Sequence, residues 1–561
     1  MKKSKAFPHI LGVIIALIVL AVICYFSCPA LNIHNPGMWM LAALGILIYL
    51  VVSQLGGGHP VTVTGKNGQQ INLPFGGNGK LFLIPLGILV LVAVISLFSG
   101  KLFHAKAYAA ILPVQESDFA TDLSESVNPD TIALMDTASA RKLGDRKIGS
   151  LTHVVSQYDV AQEYTQIDYQ GKPLKVAPLE YAGFFKWMNN KKNGATGYVT
   201  VNPVDMEASF AECAGMKYIP SAYFGQDAKR HMWSQFPTLM LENLHFEIDE
   251  NGKPYYVASI IKKSIFLFGG KTVDGCVVMD PVTGKCTRYD LKDIPRWVDV
   301  VFEGDLICTQ YNWYGLYQNG YVNSLFAKKG CKQVTSYSAT DDEGYTTETM
   351  DFGYVAKDGD IWIYTGITSV NGDSSNIGFL LSNERTGESR FYPIAGADEK
   401  SAMAAAEGEV QEKRYKASFP SLINVAGNPT YIMVLKDSGG LVKQYAAVNV
   451  EQYSLVATAD KLEDCLAKYK ELFDIEEEPT PDPEPEQKPQ PTTHSFTVAA
   501  VEHVVIDGNT VIYLMDDKGN LYYAKAADHE DMIFLKAGDP VTITALEKEI
   551  QTCLVGPPTE E

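Results

Sequence analysis

Three apolar runs near the amino terminus constrain this chain more than anything else in it. Ile10 to Cys28, Met38 to Leu55 and Leu81 to Phe98 are each 18 or 19 residues long and contain no Asp, Glu, Lys, Arg or His. An α-helix rises ~1.5 Å per residue, so each run just spans a hydrocarbon layer of ~30 Å. A soluble core helix of that length keeps a polar face, and these keep none. The sequence therefore predicts three transmembrane helices, at 10–28, 38–55 and 81–98, in a membrane region covering 1–106. Ion and proton pathways need ionisable or broken segments at mid-membrane, so these plain helices favour an anchor over a transporter.

The first run is expected to stay uncleaved. Lys2, Lys3 and Lys5 would suit a signal peptide, but no small-x-small site closes the run and a second span follows within ten residues. Tyr25-Phe26-Ser27-Cys28 is a poor lipoprotein box, with aromatics where Leu and a small residue belong. Orientation follows from the lysines. The amino end carries three, the link at 29–37 carries none, and the link at 56–80 carries Lys66 and Lys80. Basic links stay in the cytoplasm, so the amino terminus and second link are expected inside, and everything after about Lys101 outside. Lys101 and Lys106 work against that order. Within the second link, Pro60 to Pro74 alternates around Gly65-Lys66-Asn67-Gly68 and reads as a small hairpin. Its glycine-rich flanks lack the Gly-Lys-Ser/Thr of a phosphate loop.

Beyond residue 106 the character changes. The chain carries 47 basic and 66 acidic residues, and seven of the basic ones but none of the acidic ones lie in 1–106. The remainder is strongly acidic, which excludes nucleic acid as a general partner because phosphate binding needs a basic surface. Short β-like runs alternate with turns, and one turn recurs. Asp280-Pro-Val-Thr-Gly284 is followed by Tyr289, Asn383-Glu-Arg-Thr-Gly387 by Tyr392, and Lys436-Asp-Ser-Gly-Gly440 by Tyr445. Each predicts a hairpin whose Gly takes a left-handed conformation and whose Tyr packs on a sheet face. Three copies at unequal spacing suggest duplicated sheet modules rather than a strict solenoid. Helices are expected at 398–414 and at 460–473, the second with Leu462, Cys465, Leu466, Tyr469, Leu472 and Phe473 on one stripe.

Sheet-then-helix units of this kind are similar in shape to PepSY-like modules. Several blocks resemble those of an uncharacterised family of multi-span envelope proteins of Gram-positive bacteria. They are Ala140-Arg-Lys-Leu-Gly-Asp-Arg-Lys-Ile-Gly149, Tyr164 to Lys172, His245 to Gly252, Asp280 to Gly284 with Trp297-Val-Asp299, and Thr365 to Val370 with Ser375 to Phe379. The resemblance covers roughly 130–460. It implies a location in the cell envelope with a large extracytoplasmic PepSY-like α+β region, and it assigns no activity and no active residues.

Positions 476–495 hold six Pro and six acidic residues, a composition that cannot bury a core and predicts an extended linker. Past it, β character returns at 496–506, 511–515, 521–524, 532–535 and 541–546, five short strands that predict an OB- or SH3-like barrel at 496–561. The fold class is thus a membrane α-helical region of three spans, an extracytoplasmic α+β region of antiparallel sheet modules at 107–475, and a small C-terminal barrel.

No chemical motif stands out. Seven Cys lie beyond the spans, none in a Cys-x-x-Cys pair, and the register expected around the Asp280 turn sets Cys286 opposite Met279 rather than Cys276. Cys213 and His231 are the most tempting catalytic pair, but no nucleophile elbow accompanies them. Asp341-Asp342-Glu343 and Asn371 to Ser375 lack the alternation of a calcium loop. No catalytic, cofactor-binding or metal-ligating residue is therefore assigned and no cofactor is expected. The expected function is a membrane-anchored cell-envelope protein displaying a non-catalytic binding or scaffold region. Its partners would be the lipid bilayer and an envelope protein or wall polymer, without nucleic acid. The alternative is an envelope enzyme or permease component with a site assembled from scattered residues.

Overall fold

The computed structural model describes residues 6–57, 61–64, 70–73, 79–123, 132, 134–340, 346–350, 352–370, 375–473, 491–506, 509–546 and 548–556. They fall into two compact units, Met1–Ile475 and Glu476–Glu561.

In the first unit, helices Phe7–Ser27, Pro36–Gly57 and Leu83–Phe98 are the three apolar helices, the last led in by a 3-10 turn Gly79–Phe82. All three are long and apolar enough to cross a membrane. The first begins three residues before the predicted start, because Pro8 fits a helix's first turn, where its missing N–H is not needed. Leu17, Ile18, Leu83 and Leu86 point outward, as apolar side chains do against lipid. Small residues let the helices close: a Cβ on Gly12 would stand 3.1 Å from the Tyr49 carbonyl oxygen, and one on Gly45 2.7 Å from Leu20. The predicted hairpin is present, with Val61–Thr64 paired antiparallel to Gln70–Leu73. Its turn lies outside the described residues.

Four larger, mainly antiparallel sheets follow among the described residues, besides a two-stranded hairpin of Ser336–Thr340 and Thr346–Met350. The first contains Tyr158–Val160, Thr165–Tyr169, Lys172–Tyr181, Ala195–Asn202 and Glu207–Met216. The second is a plain meander of Met240–Ile248, Pro254–Ile265, Gly269–Met279 and Cys286–Asp290. The third is built on Gly353–Lys357, Asp360–Ser369, Ser375–Asn383 and Ser389–Tyr392, and Val114–Glu116 closes its edge in parallel. The fourth is built on Ser421–Val425, Asn428–Lys436, Val442–Asn449 and Val456–Ala459.

Period-two alternation explains how these sheets stack. In the second, Tyr256, Ala258 and Met279 enter the core shared with the first sheet, while Val257, Cys276 and Val278 enter the core shared with the third. In the third, Ile363, Ile367 and Leu380 face the second sheet, and Trp362, Tyr364 and Leu381 face the fourth. Both faces of these strands are apolar because both are covered. The fourth sheet turns its other face to helix Leu462–Glu471 and to Ile132 and Leu134, with Met206 of the first sheet packed alongside. Lys436 there is ion-paired with Asp136 at the cap of helix Thr137–Gly149, and Lys142 of that helix donates to the Gly439 carbonyl at 3.1 Å. The chain thus runs from sheet to sheet and returns to the first.

The predicted helices are Glu399–Glu409, capped by Asp398, and Leu462–Glu471. In the second, Cys465, Leu466 and Tyr469 are buried, but Leu472 lies just past the helix and is 45% exposed.

The second unit holds its own core, with Ile512, Leu514, Met532 and Ile543 fully buried. Six strands build one sheet, in the order Thr492–Thr497, Pro540–Leu546, Glu549–Val555, Leu521–Lys525, Asn509–Met515, Ala500–Ile506. Three expectations need correction. The run at 496–506 is two strands, broken where the Val498 and Ala499 amides turn to Asp539 and Met515. The run at 532–535 is not a strand: Met532 and Leu535 bury at a spacing of three out of a 3-10 turn, and Phe534 between them is 81% exposed. Glu549–Val555 was not foreseen, because only Ile550 and Cys553 point inward and the alternation is weak. Most of the linker at 476–495 lies outside the described residues.

Candidate functional site

Ionisable groups collect inside the body where the first three sheets meet. Glu247, on the second sheet, is fully buried and accepts three hydrogen bonds: from the Asp299 amide at 2.9 Å, the Val300 amide at 3.0 Å and His245 Nε2 at 2.8 Å. Asp299 in turn accepts from the Asp168 amide of the first sheet at 2.7 Å. On the third sheet Asp360 accepts from Asn383 Nδ2 and Arg385 Nε, each at 2.8 Å. Glu384 is buried beside them with one carboxylate oxygen unpartnered. Lys175 of the first sheet is likewise buried, its ammonium 5.5 Å from the Tyr354 ring centre.

Burial sets the charge state of this interior. It pushes the Asp299 carboxyl well above the usual range, and the Glu247 charge beside it pushes the same way. Glu384 is raised by burial and then by Glu247 and Glu303. Lys175 is pulled down to about 8 by burial, against the opposing pull of Asp136 and Glu384. Burial also disfavours the His245 imidazolium, but the hydrogen bond and charge of Glu247 outweigh it and the net shift is upward. The bonded part of this cluster, Asp168, Glu247 and Asp299, ties the first sheet to the second; removing one of its partners leaves the others buried and unpaired. Cavities of about 380 to 610 Å³ open elsewhere, and Lys175, Glu247, Asp299 and Glu384 line none of them.

The tempting sequence pair is not brought together. Cys213 lies on strand Glu207–Met216, half-buried, with its thiol pushed up to about 11 by burial. His231, on helix Ala228–Gln235, directs Nε2 to the Gly284 carbonyl at 2.7 Å and packs its ring 4.2 Å from that of Tyr218. Among the described residues no hydrogen bond joins the two. A thiol held protonated and an imidazole spent on a turn lack the arrangement of a nucleophile and its base. Among the described residues the cysteines form no disulfide, and Cys286 pairs in register with Met279 as expected. Among the described residues no group of three or more His, Cys, Asp or Glu could hold a metal ion. Asp341-Asp342-Glu343 and most of the Asn371 loop lie outside the described residues.

Accessible polar groups gather where the body meets the apolar helices. The link at 29–35 is bonded to the body along its length: Trp233 Nε1 donates to the Pro29 carbonyl at 2.8 Å, the Leu31 amide to Pro237 at 2.7 Å, and Asn32 Nδ2 to Thr238 at 3.0 Å. His34 Nδ1 lies 2.9 Å from the Leu267 carbonyl. Arg230 donates to the Tyr25 carbonyl at 2.9 Å and stacks 4.4 Å from the Tyr25 ring, so a cation caps the carbonyl end of helix Phe7–Ser27. A cavity of about 530 Å³ lies at this junction, lined by Ala30 of the link, by Pro36 at the start of the second helix and by Met232, Trp233, Leu241 and Lys263 of the body. Sequence reasoning missed this junction, because its two sides lie about 200 residues apart and each is unremarkable alone.

No protein-family model matches the sequence and no curated protein aligns with it. Among solved structures, the chain is similar to a mutant of Synechocystis ACO at 9% identity, over 54% of this chain and 62% of that one, with a TM-score of 0.17. It therefore spans less than two thirds of that protein's length. A B. megaterium levansucrase mutant aligns at 8% identity over 79% of this chain and 95% of the other, with a TM-score of 0.17. Pyrococcus horikoshii acylaminoacyl peptidase aligns at 11% identity over 64% and 58%, with a TM-score of 0.16. Likenesses this slight carry no argument about fold or activity.

Proposed function

We propose that this is a membrane-anchored cell-envelope protein whose body is a non-catalytic binding or scaffold platform held against the membrane surface. The observation that carries the proposal is the bonded junction between the link at 29–35 and the body. A body fixed to the link between the first two spans shares that link's side of the bilayer. The lysine-free link is the one the charge rule assigns to the outside, so the junction and the lysines agree. The sealed interior network and the separation of Cys213 from His231 favour binding over turnover. The tail would curl into a small barrel of the OB or SH3 kind. On its acidic, proline-rich tether it would reach an envelope protein or wall polymer.

Cysteine labelling of intact cells tests the arrangement. An impermeant thiol reagent should reach a probe at Gly508 and not one at Lys66; the reverse pattern would overturn it. Affinity capture with residues 107–561 against envelope extract tests the function. Capture without chemical change of the captured partner supports a platform, and turnover of the partner replaces it with an enzyme.

A further inference from the structure

We propose that an aromatic knob on the body, formed by helix Phe184–Asn190 and the turn Phe224–Gln226, inserts into the headgroup layer of the bilayer crossed by the spans. The inference rests on the membrane-anchor proposal and adds a second point of lipid contact to it. Two segments far apart in sequence build the knob. Phe184, Phe185, Tyr223 and Phe224 gather around Trp187 with neighbouring ring centres 5.0 to 5.6 Å apart. Trp187 is buried beneath them and donates its indole N–H to Gln226 Oε1 at 3.0 Å. Gln226 donates back to the Lys191 carbonyl at 3.1 Å, so the two segments hold each other. Phe185 is 71% and Phe224 58% exposed, with Met188 exposed beside them. A contiguous patch of large apolar side chains marks a surface that something covers. Phe224 also sits at φ +55°, a conformation that bulky side chains avoid.

Position identifies what covers it. A single guanidinium bridges the knob and the first span: Arg230 donates from Nη1 to the Phe224 carbonyl at 2.6 Å and from Nε to the Tyr25 carbonyl at 2.9 Å. Tyr25 lies two residues from the end of a 21-residue helix, which puts it at the edge of the hydrocarbon when that helix spans ~30 Å. Phe224 is held at nearly the same level. An apolar face of Phe and Trp flanked by Lys buries about 5–10 Å into the headgroup boundary at this depth. Charge points the same way. Lys186, Lys191 and Lys192 flank the rings, with Lys191 Nζ 5.3 Å from the Trp187 ring centre, and the phosphates of anionic lipids attract such a cluster.

The full chain in nanodiscs containing anionic phospholipid provides the test. A fluorophore is attached at Phe185→Cys, at Leu89→Cys in the third span and at Glu412→Cys in the 3-10 turn Gln411–Lys413 that leads into the fourth sheet, with the wild-type chain labelled in parallel to subtract native thiols. Nitroxide-bearing lipids are the quenchers. The label at 185 should be quenched at least twofold by shallow nitroxides, the label at 89 by deep ones, and the label at 412 by neither. Quenching at 89 with position 185 behaving like 412 would overturn the knob and leave the anchor standing. No quenching at 89 would overturn the anchor itself. A label at 185 shielded from a water-soluble quencher yet insensitive to nitroxide lipid would mean that protein covers the knob, and that also overturns the proposal.

Discussion

Lys175 sits inside the body, its ammonium 5.5 Å from the Tyr354 ring centre. Burial lowers its pKa from 10.5 to about 8, so between those values the unfolded chain binds the proton more readily than the folded one. The stability this group contributes is present above pH ~10.5 and is lost as pH falls through 8, a loss on the order of 3 kcal/mol. Lys175→Met should remove that dependence. Relative to wild type, the variant is expected to gain thermal midpoint at pH 7 and to lose the advantage near pH 10, read on the detergent-solubilised full chain. A midpoint difference that stays constant across that range would show that the ammonium is not disfavoured.

Gly284 gives a second test at the same scale. Its φ is +76°, and a Cβ there would stand 2.7 Å from the Tyr218 ring and 2.9 Å from His231 Nε2. Gly284→Val should therefore destabilise by at least the ~1–3 kcal/mol of a strained backbone, with the steric conflict added. His231→Ala loses one hydrogen bond, worth about 1 kcal/mol, and Cys213→Ala loses a half-buried thiol. Both should retain partner capture, with any phenotype following protein level. Abolished function at unchanged level and midpoint in either variant would replace the platform with an enzyme. Gly284 was legible in the sequence because a left-handed turn leaves a local signature. Lys175 was not, because nothing near it on the strand reveals that Glu384 and Tyr354 will close over it.

Among elements, the recurring turn is the clearest case of local chemistry repeated. Asp280 Oδ1 accepts the Val282 and Thr283 amides, and Asn383 Oδ1 accepts the Arg385 and Thr386 amides in the same way. Gly284, Gly387 and Gly440 all take φ near +75°. The first sheet carries a fourth copy that sequence reading passed over. In Asn202-Pro-Val-Asp-Met206, Asn202 Oδ1 accepts the Val204 and Asp205 amides, and Met206 occupies the glycine position at φ +58°. A pattern keyed on glycine cannot find it. Met206 packs against two cores, and that packing offsets the backbone cost.

The link at 29–35 yields the prediction at this scale. Arg230→Ala combined with Trp233→Phe removes the donors to Tyr25 and Pro29. At about 1 kcal/mol per hydrogen bond, the link should open more readily and the Leu31 amide should exchange at least tenfold faster. Hydrogen exchange on the reconstituted chain reads this directly. Unchanged exchange at Leu31 would mean that the remaining contacts hold the link unaided.

For the whole molecule, the division into two units carries a proteolytic expectation. The composition of 476–495 offers nothing to bury, whereas the units on either side each hold their own cores. Limited proteolysis should cut within 476–495 first and release an intact tail. Slow cutting there with loss of the tail itself would contradict an independently folded second unit.

The amino-acid sequence alone determined the features whose causes are local. An uncharged run of 18 residues is a membrane-length helix wherever it lies, a glycine turn between apolar runs is a hairpin, and a proline- and glutamate-rich stretch cannot build a core. Tertiary structure decided what depends on neighbours distant along the chain. The stacking of four sheets follows from both faces of their strands being covered, and a strand's sequence cannot say by what. Asp168, Glu247 and Asp299 become one network only when the first two sheets and the segment after the second converge. The docking of link 29–35 and the outward turn of Phe185 and Phe224 likewise arise from contacts about 40 to 200 residues apart. Packing and desolvation act through space, and the chain's order does not encode which surfaces will meet.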